Sequence, residues 1–540
     1  MFDVILVLPY PFADHPSFPE GILKRALEAA DFRVGVIETP DWQDKASFAA
    51  LGRPALFFAV VSGPLDSMVL NYTAGRRRRR EDLYQLDGQA FFAGRPPDIK
   101  FKIRPDRTVT VFCNRLREAY RDVPLVIGGV EASLRCFAHY DFQEDKVRRS
   151  LLLDSRADIL VSGNGEKQAV RIARLLRQGT PAAEIDIPGT ARVRARLPEG
   201  KDCLELPACE EVQAEPARLL QAQLLAAAAE GGRALAQRHA NRWVVLNPAE
   251  PYAPADLDFI YGLEYARRHP GSASYSPALR MNLFSVTSHR GCAGGCAFCS
   301  IALSEGRRVL SRSPDSVLRE VRSLARHPEW RGVVSDVGGP TAEMYGGDCP
   351  ATACGRSSCL LPEACPRFAA GEPYRELLRR SRSQPGVKKV LLGSGVRHDL
   401  MLRNPDLLAE VLREHCGRFL RVAPEHTEDD VLELMGKPRF AVFEEFVRLF
   451  QRLNKKLRRP IELAPYVIVG HPGETTSMVP AMKKKLRALG LRTGDVQIFT
   501  PTPGTLSTAM YHAGLSPSGR TIPVEKDIHA LQERKRVLTG

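Results

Sequence analysis

Two separate series of alternating strand and helix patterns run along this chain, and they restrict its fold more than any other feature. The first covers residues 1–178. Its strand candidates are Asp3–Leu8, Val34–Ile37, Ala55–Val61, Pro124–Gly129 and Asp158–Val161, with helix patterns such as Gly21–Ala30 and Glu166–Leu176 between them. The strand segments are continuous apolar runs, as expected of strands buried on both faces, and their alternation with helices predicts a parallel, doubly wound, Rossmann-like sheet. Gly128-Gly129 and Gly163-Asn164-Gly165-Glu166 fall where two of these strands end. Ligands bind at that edge in such sheets, although these glycines serve equally well as plain loop residues.

The second series begins at residue 281 and runs for six units. Its strand candidates are Leu283–Thr287, Gly332–Val337, Lys389–Leu392, Phe419–Ala423, Ala464–Val469 and Val496–Phe499. One intervening helix, Pro314–Ala325, carries Ser313 as its cap and a proline in its first position. Six consecutive units predict a partial (β/α)6 barrel over 281–515, with its active face at the strand carboxyl ends. Residues 179–280 read as an irregular, proline-punctuated connector with one helical segment, Ala217–Arg238, and residues 516–540 as a C-terminal tail. The fold class is α/β throughout.

Composition narrows the class. The 540 residues suffice for several domains at ~150 residues each. A hydrophobic share of 44% with 26% charged residues excludes a disordered chain, a collagen-like repeat and a small disulfide knot. No apolar run reaches the ~18 residues of a membrane span. Met1–Leu6 shows no basic leader before its apolar stretch, so a cytoplasmic protein without a membrane partner is expected. The net charge is +14, with basic runs at Arg76–Arg80, Lys483–Lys485 and Arg534–Arg536. Such runs can pair with phosphates, leaving RNA or another anionic substrate as a candidate partner, but each taken singly reads as a solvated face. No zinc-finger or helix-turn-helix signature accompanies them.

Cysteine usage is more informative. Seven of the 12 cysteines fall between residues 292 and 365. In a reducing compartment such a cluster points to metal ligation or catalysis. Directly after the first strand of the second series stands Gly291-Cys292-Ala293-Gly294-Gly295-Cys296-Ala297-Phe298-Cys299. Three thiolates on one tight loop can each bind one iron of a 4Fe–4S cube and leave a fourth iron open for chemistry. The flanking glycines let the backbone wrap a bulky group. A zinc site completed by nearby His289 is the alternative, and the spacing disfavours it. Cys349, Cys354, Cys359 and Cys365 form a second set in a Gly/Pro-rich insertion at 345–366. They suit a structural zinc or an auxiliary iron–sulfur cluster, and unligated thiols are the third reading. Cys113, Cys136, Cys203, Cys209 and Cys416 are expected to be small buried residues.

The Cys-x3-Cys-x-aromatic-Cys loop resembles the signature of radical S-adenosylmethionine (SAM) enzymes. Further segments resemble the YgiQ-like family of radical SAM proteins. In the N-terminal half these are Asp14-His15-Pro16-Ser17-Phe18, Ile127–Arg135, His139-Tyr140-Asp141 and Lys146–Ser150. In the barrel half they are Gly338–Gly346, Val422–Thr427 and Pro501–Thr508. The resemblance implies a 4Fe–4S cluster on Cys292, Cys296 and Cys299. It also implies SAM chelated at the open iron, reductive cleavage to methionine and a 5′-deoxyadenosyl radical, and a flavodoxin- or ferredoxin-like electron donor. For SAM contacts it points to Gly338 and Gly339, where Pro340 takes the place of an expected glutamate and Glu343 follows later. It points also to Ser394 and Gly395 with Arg397, to Glu425, and to Ile468 and Gly470 in the adenine-binding strand segment. The catalytic residues and the substrate stay unassigned.

The N-terminal sheet is similar to the cobalamin-binding domains that precede many radical SAM barrels. His15 follows Asp14, but the Asp-x-His-x-x-Gly spacing of a base-displacing histidine is missing. A scaffold without cobalamin is therefore the favoured expectation, with cobalamin bound without that ligand left open. Two other functions compete with a radical SAM enzyme of unassigned reaction. One is a non-catalytic iron–sulfur or zinc protein that binds RNA, and the other a cobalamin-dependent radical SAM methyltransferase or cyclase.

Overall fold

A computed structural model describes residues 1–198, 200, 202–229, 232–349, 354, 356–458, 460–492 and 494–540. The chain forms two units. One comprises Met1–Pro251, Leu263–Leu283 and Thr502–Gly504, the other Tyr252–Gly262, Phe284–Pro501 and Thr505–Gly540.

The first unit is built on a nine-stranded sheet. Its strands are β1 (Val4–Leu8), β2 (Val34–Glu38), β3 (Phe57–Val61), β4 (Leu125–Gly128), β5 (Ile159–Val161), β6 (Thr190–Arg194), β7 (Cys203–Leu206), β8 (Ala234–His239) and β9 (Arg242–Leu246). Their spatial order is β2-β1-β3-β4-β5-β6-β9-β8-β7. Strands β1 to β5 are mutually parallel, as the apolar runs predict. Both faces are covered: Ile5, Val7, Phe58 and Val60 pack with Phe112 and Leu116 of helix Thr108–Ala119. Val4, Leu6, Phe57 and Ala59 pack with Leu27 and Ile172 of helices on the other side. The order reverses between β1 and β3, which makes their carboxyl ends the switch point where such sheets take ligands.

Residues 179–280, expected as a connector, instead extend this sheet, with β6, β9 and β8 added through antiparallel pairings and β7 through a parallel pairing with β8. These strands are four to six residues long and flanked by prolines and charges, so their apolar signal is short and diluted. The helix expected over Ala217–Arg238 runs only from Pro216 to Ala228. Residues 230 and 231 of that expected helix lie outside the described residues, and Gly232 at φ +133° is incompatible with helix.

The second unit holds the six expected barrel strands. They are β10 (Ser285–Thr287), β11 (interrupted, Val333–Val334 and Asp336–Gly338), β12 (Lys389–Val390), β13 (Phe419–Glu425), β14 (Glu462–Val469) and β15 (Asp495–Ile498). Among these six strands the described pairings are parallel and sequential: β10 with β11, β11 with β12, β13 with β14, and β14 with β15. A parallel bridge from Val396 to Val422 joins the third unit of the barrel to the fourth. Ser313 caps helix Pro314–Ser323 as predicted, its hydroxyl accepting from the Ser316 amide. The segment 516–540 is not a loose tail. It ends in helix Ile528–Thr539, which buries Leu531 and Leu538 and pairs Arg534 with the buried Glu474 at 2.9 Å. Among the described residues, no helix is long and apolar enough to cross a membrane.

Candidate functional site

The cysteine loop leaves β10 through His289-Arg290 and is held by backbone bonds from several directions. Gly291 has φ +78°, and a Cβ there would collide with the Arg308 carbonyl, so the loop can start only with glycine. The Cys292 amide donates to Gly306 O at 3.1 Å and the Ala297 amide to Met435 O at 2.9 Å. The Ser507 amide donates to Ala297 O at 3.0 Å. Gly295, at φ +68°, passes so close to Ser357 that an added Cβ would lie 2.6 Å from its carbonyl oxygen. Phe298, the aromatic of the loop, meets the His471 ring edge-on at 6.3 Å. The loop therefore takes support from elements far apart in sequence.

All three thiols are partly buried. Burial pushes the Cys292 thiol up, and it pushes Cys299 up to about 12, with neighbouring Cys296 adding to both shifts. A positive charge stands beside them: Arg397 Nη1 donates to Cys296 Sγ at 3.7 Å. Cys292 Sγ lies 3.8 Å from Thr341 Oγ1. Cys292 and Cys299, whose charged forms burial disfavours, and Cys296 beside a fixed guanidinium fit a group that draws thiolate charge onto metal. A zinc shell fits poorly. The His289 ring faces Gly339, with its Cε1 2.6 Å from where a Cβ would be. Among the described residues, no three His, Cys, Asp or Glu side chains are gathered to hold an ion. A 4Fe–4S cube takes each thiolate on a separate iron, so its ligands need not converge on one point.

The expected SAM residues fall into three groups. Gly338 and Ser394 meet at the ends of the second and third strands, where a Cβ on Gly338 would lie 3.0 Å from Ser394 Oγ, while Gly339 packs against His289 and Gly395 approaches the Arg421 carbonyl. Asp336, which sequence reasoning missed, organises the turn at Ser394. Its carboxylate accepts from the Gly393 amide at 2.9 Å, the Ser394 amide at 3.3 Å and the Ser394 hydroxyl. The Gly338 carbonyl accepts from the Ser288 amide at 2.7 Å. Glu343, also buried, accepts from the Arg397 amide through one oxygen, and burial lifts its pKa to about 8. Its other oxygen has no partner.

Glu425 ends β13 at a bulge, with φ +70°. A non-glycine residue held in this region stores backbone strain, which concentrates at functional sites. Its carboxylate lies 3.8 Å from Lys437 Nζ, and burial raises its pKa. Ile468 is half-buried on β14 against the core. Gly470 has a structural reason of its own: at φ +78°, a Cβ would strike Leu531 of the C-terminal helix. Beyond it, sequence reasoning missed a buried network in which Glu474 accepts from the Gly470 amide at 2.9 Å and pairs with His426 at 3.2 Å.

The second cysteine set contains Cys354, which is exposed, and Cys349, Cys359 and Cys365, which are half-buried. Part of the insertion expected at 345–366, residues 350–353 and 355, lies outside the described residues. Of the scattered cysteines, Cys113, Cys136, Cys209 and Cys416 are buried and Cys203 half-buried.

The switch point in the first unit is filled by the chain itself. Tyr10, just past β1, lies over Gly63 at the end of β3 so closely that a Cβ there would be 2.5 Å from its hydroxyl. That hydroxyl donates to the buried Glu20 at 3.0 Å. Gln85 donates to the Pro9 carbonyl at 2.7 Å, and Arg104, paired with Asp82 at 2.8 Å, covers the Tyr10 ring. Gly129, at φ +92°, packs against Ser62, with room for no Cβ. These residues do not fit a corrinoid at that edge.

A thiol-bearing loop after the first strand of a six-stranded parallel partial barrel, preceded in sequence by a Rossmann-like sheet, defines a radical SAM protein. The radical SAM N-terminal family matches residues 1–285 and the radical SAM superfamily residues 286–486. The "UPF0313 protein" of Geobacter sulfurreducens is 46% identical over 529 residues, covering 95% of this chain and 85% of that protein. That of Methanocella arvoryzae is 42% identical over 538 residues, covering 97% and 88%. The chain belongs to this UPF0313, or YgiQ-like, family of radical SAM proteins. Among solved structures, the radical SAM methyltransferase TsrM from Kitasatospora setae, with cobalamin and a 4Fe–4S cluster bound, superposes with a TM-score of 0.53. It is 20% identical and covers 94% of this chain and 74% of that one, a likeness of fold alone.

Proposed function

We propose that Cys292, Cys296 and Cys299 hold the 4Fe–4S cluster of a radical SAM enzyme, with SAM lying across the carboxyl edge of the barrel from Gly339 towards Ile468. When bound, cluster and SAM supply reductive cleavage of the sulfonium and a 5′-deoxyadenosyl radical that removes a hydrogen atom from substrate. The chain's own residues hold and shield this chemistry. Arg397 directs a guanidinium N–H at Cys296. Asp336 fixes the turn of Gly393 and Ser394, which would hold the carboxylate or ribose of SAM. Glu425, partly neutralised by Lys437, offers a carboxylate to the ribose or the substrate, and Ile468 an apolar contact to adenine. The buried surroundings of the loop restrict water around the reacting centre.

The reading rests on one observation: Arg397, from the segment after the third strand, meets Cys296, from the loop after the first. A flavodoxin- or ferredoxin-like protein is the proposed electron donor. Anaerobic protein reconstituted with iron and sulfide, then reduced in the presence of SAM, is expected to release 5′-deoxyadenosine. Protein that carries the cluster and binds SAM yet leaves it intact under every reductant would favour the RNA-binding reading instead. The five exposed arginines Arg76–Arg80 support an anionic substrate such as RNA as a second reading. Binding to bulk RNA that does not weaken with added salt contradicts its electrostatic form.

A further inference from the structure

One buried carboxylate joins three separate parts of the barrel unit. Glu474 Oε1 accepts from the Gly470 amide at 2.9 Å and from Arg534 Nη1 at 2.9 Å. Its Oε2 lies 3.2 Å from His426 Nε2. His426 Nδ1 accepts from the Glu428 amide at 3.0 Å, so the ring proton sits on Nε2 and is donated to Glu474. The carboxylate and the imidazole are fully buried, and the Arg534 side chain is 6% exposed. Gly470 follows the end of β14, two residues beyond Ile468. His426 follows Glu425, whose backbone is held at φ +70° where β13 ends. Since β13 and β14 are paired neighbours, Glu474 ties their carboxyl ends to one another.

The third part is the C-terminal helix. Arg534 lies in helix Ile528–Thr539, beyond the residues 286–486 that match the radical SAM superfamily. Its Nη2 donates to Glu525 Oε2 at 3.0 Å and to Thr476 Oγ1 at 3.1 Å, which holds the guanidinium on its far side. Leu531 of the same helix packs against Gly470. A planar guanidinium fixed in this way leaves Glu474 one position, and Glu474 in turn fixes the Gly470 amide and the His426 ring. We propose that Arg534 is a positioning residue for the nucleoside half of SAM: acting through Glu474, it holds Glu425 and Ile468 where ribose and adenine would lie. This rests on the proposed SAM site and adds the C-terminal helix to it. The end of β11, where Gly339 is proposed to meet the methionine half, takes no part in the network among the described residues.

The test separates the two halves of SAM in the full chain, reconstituted anaerobically with iron and sulfide. Equilibrium dialysis gives dissociation constants for SAM, for 5′-methylthioadenosine as the nucleoside half and for methionine as the chelating half. Arg534→Gln should weaken SAM and 5′-methylthioadenosine about tenfold, the scale of one lost hydrogen bond to a charged group. Methionine binding and iron per chain should match wild type. Arg534→Lys, which keeps a cation for Glu474, should recover part of the loss. Leu538→Ala, buried in the same helix, should lower the melting temperature and leave nucleoside binding at the wild-type level. If Arg534→Gln does not fold, Arg534→Gln combined with Glu474→Gln carries the same expectation and leaves no unpaired charge buried. Equal weakening of both halves, no change in either, or the same nucleoside loss in Leu538→Ala overturns the proposal and leaves the proposed function standing. Wild-type protein that holds its cluster and binds no SAM overturns both.

Discussion

Arg397 holds its Nη1 3.7 Å from the sulfur of Cys296 because Asp399 grips the rest of its guanidinium, accepting from Nε at 3.0 Å and from Nη2 at 2.9 Å. Burial opposes the charge on Arg397, but Asp399 and Cys296 outweigh it and hold its pKa above the ordinary value. Burial likewise opposes the charge on Asp399, and Arg397 overcomes it, keeping that carboxyl well below the usual range. The fork thus carries a fixed cation to the metal-binding loop.

Arg397→Lys should lose this arrangement, since a point ammonium cannot grip Asp399 in two places and reach the sulfur as well. A cluster deprived of an N–H donor to one of its sulfurs is expected to have a more negative midpoint potential, read by redox titration. Arg397→Ala should cost more stability, about 3–5 kcal/mol, because it leaves Asp399 buried without its partner. Thermal unfolding of both variants checks the order.

Glu343 makes the stability of the barrel unit depend on pH in a definite direction. Its folded pKa of about 8 lies above the ordinary 4.5, so the folded chain keeps a proton that the unfolded chain releases. The stability linked to this group is fully present below pH 4.5 and is lost as pH rises through 8. Glu343→Gln keeps an acceptor for the Arg397 amide and removes the ionisation. Its melting temperature should match wild type near pH 4.5 and exceed it increasingly up to about pH 8, a divergence that unfolding scans across pH would reveal.

Gly470→Ala should destabilise the barrel unit by about 1–3 kcal/mol through overpacking and a strained φ. Combining it with Leu531→Ala should recover part of that loss, since Leu531 is what the new methyl would strike. Chemical denaturation of the two single variants and the double variant measures the coupling.

Hydroxocobalamin titrated into the purified full chain should not bind, because Tyr10, Gln85 and Arg104 already cover the edge between β1 and β3. Gel filtration followed at the corrinoid absorbance should show pigment only in the small-molecule fraction. A stoichiometric pigment peak with the protein would mean that this cover moves aside.

The two sheets were legible because long apolar runs alternate with helices, and the cluster loop because its three cysteines are adjacent in sequence. What sequence left hidden depends on contacts between distant residues. Asp336 organises Gly393 and Ser394 across 57 and 58 residues, and no local pattern marks it. Strands β6 to β9 are short and half-polar because they extend an already buried sheet, so they resemble a connector. The C-terminal helix gave no sign of docking, since its anchors, the buried Leu531 and Leu538 and the pairing of Arg534 with Glu474, meet residues distant in sequence. Gly470 also packs against Leu531, a requirement for glycine that no local pattern marks.

The central claim is that the Cys292, Cys296 and Cys299 loop initiates SAM cleavage. It is tested most directly by chromatographic assay of 5′-deoxyadenosine from reconstituted wild type and Cys296→Ala, each reduced with dithionite in the presence of SAM. The account predicts product from wild type and none above background from the variant. Equal product from both would contradict it.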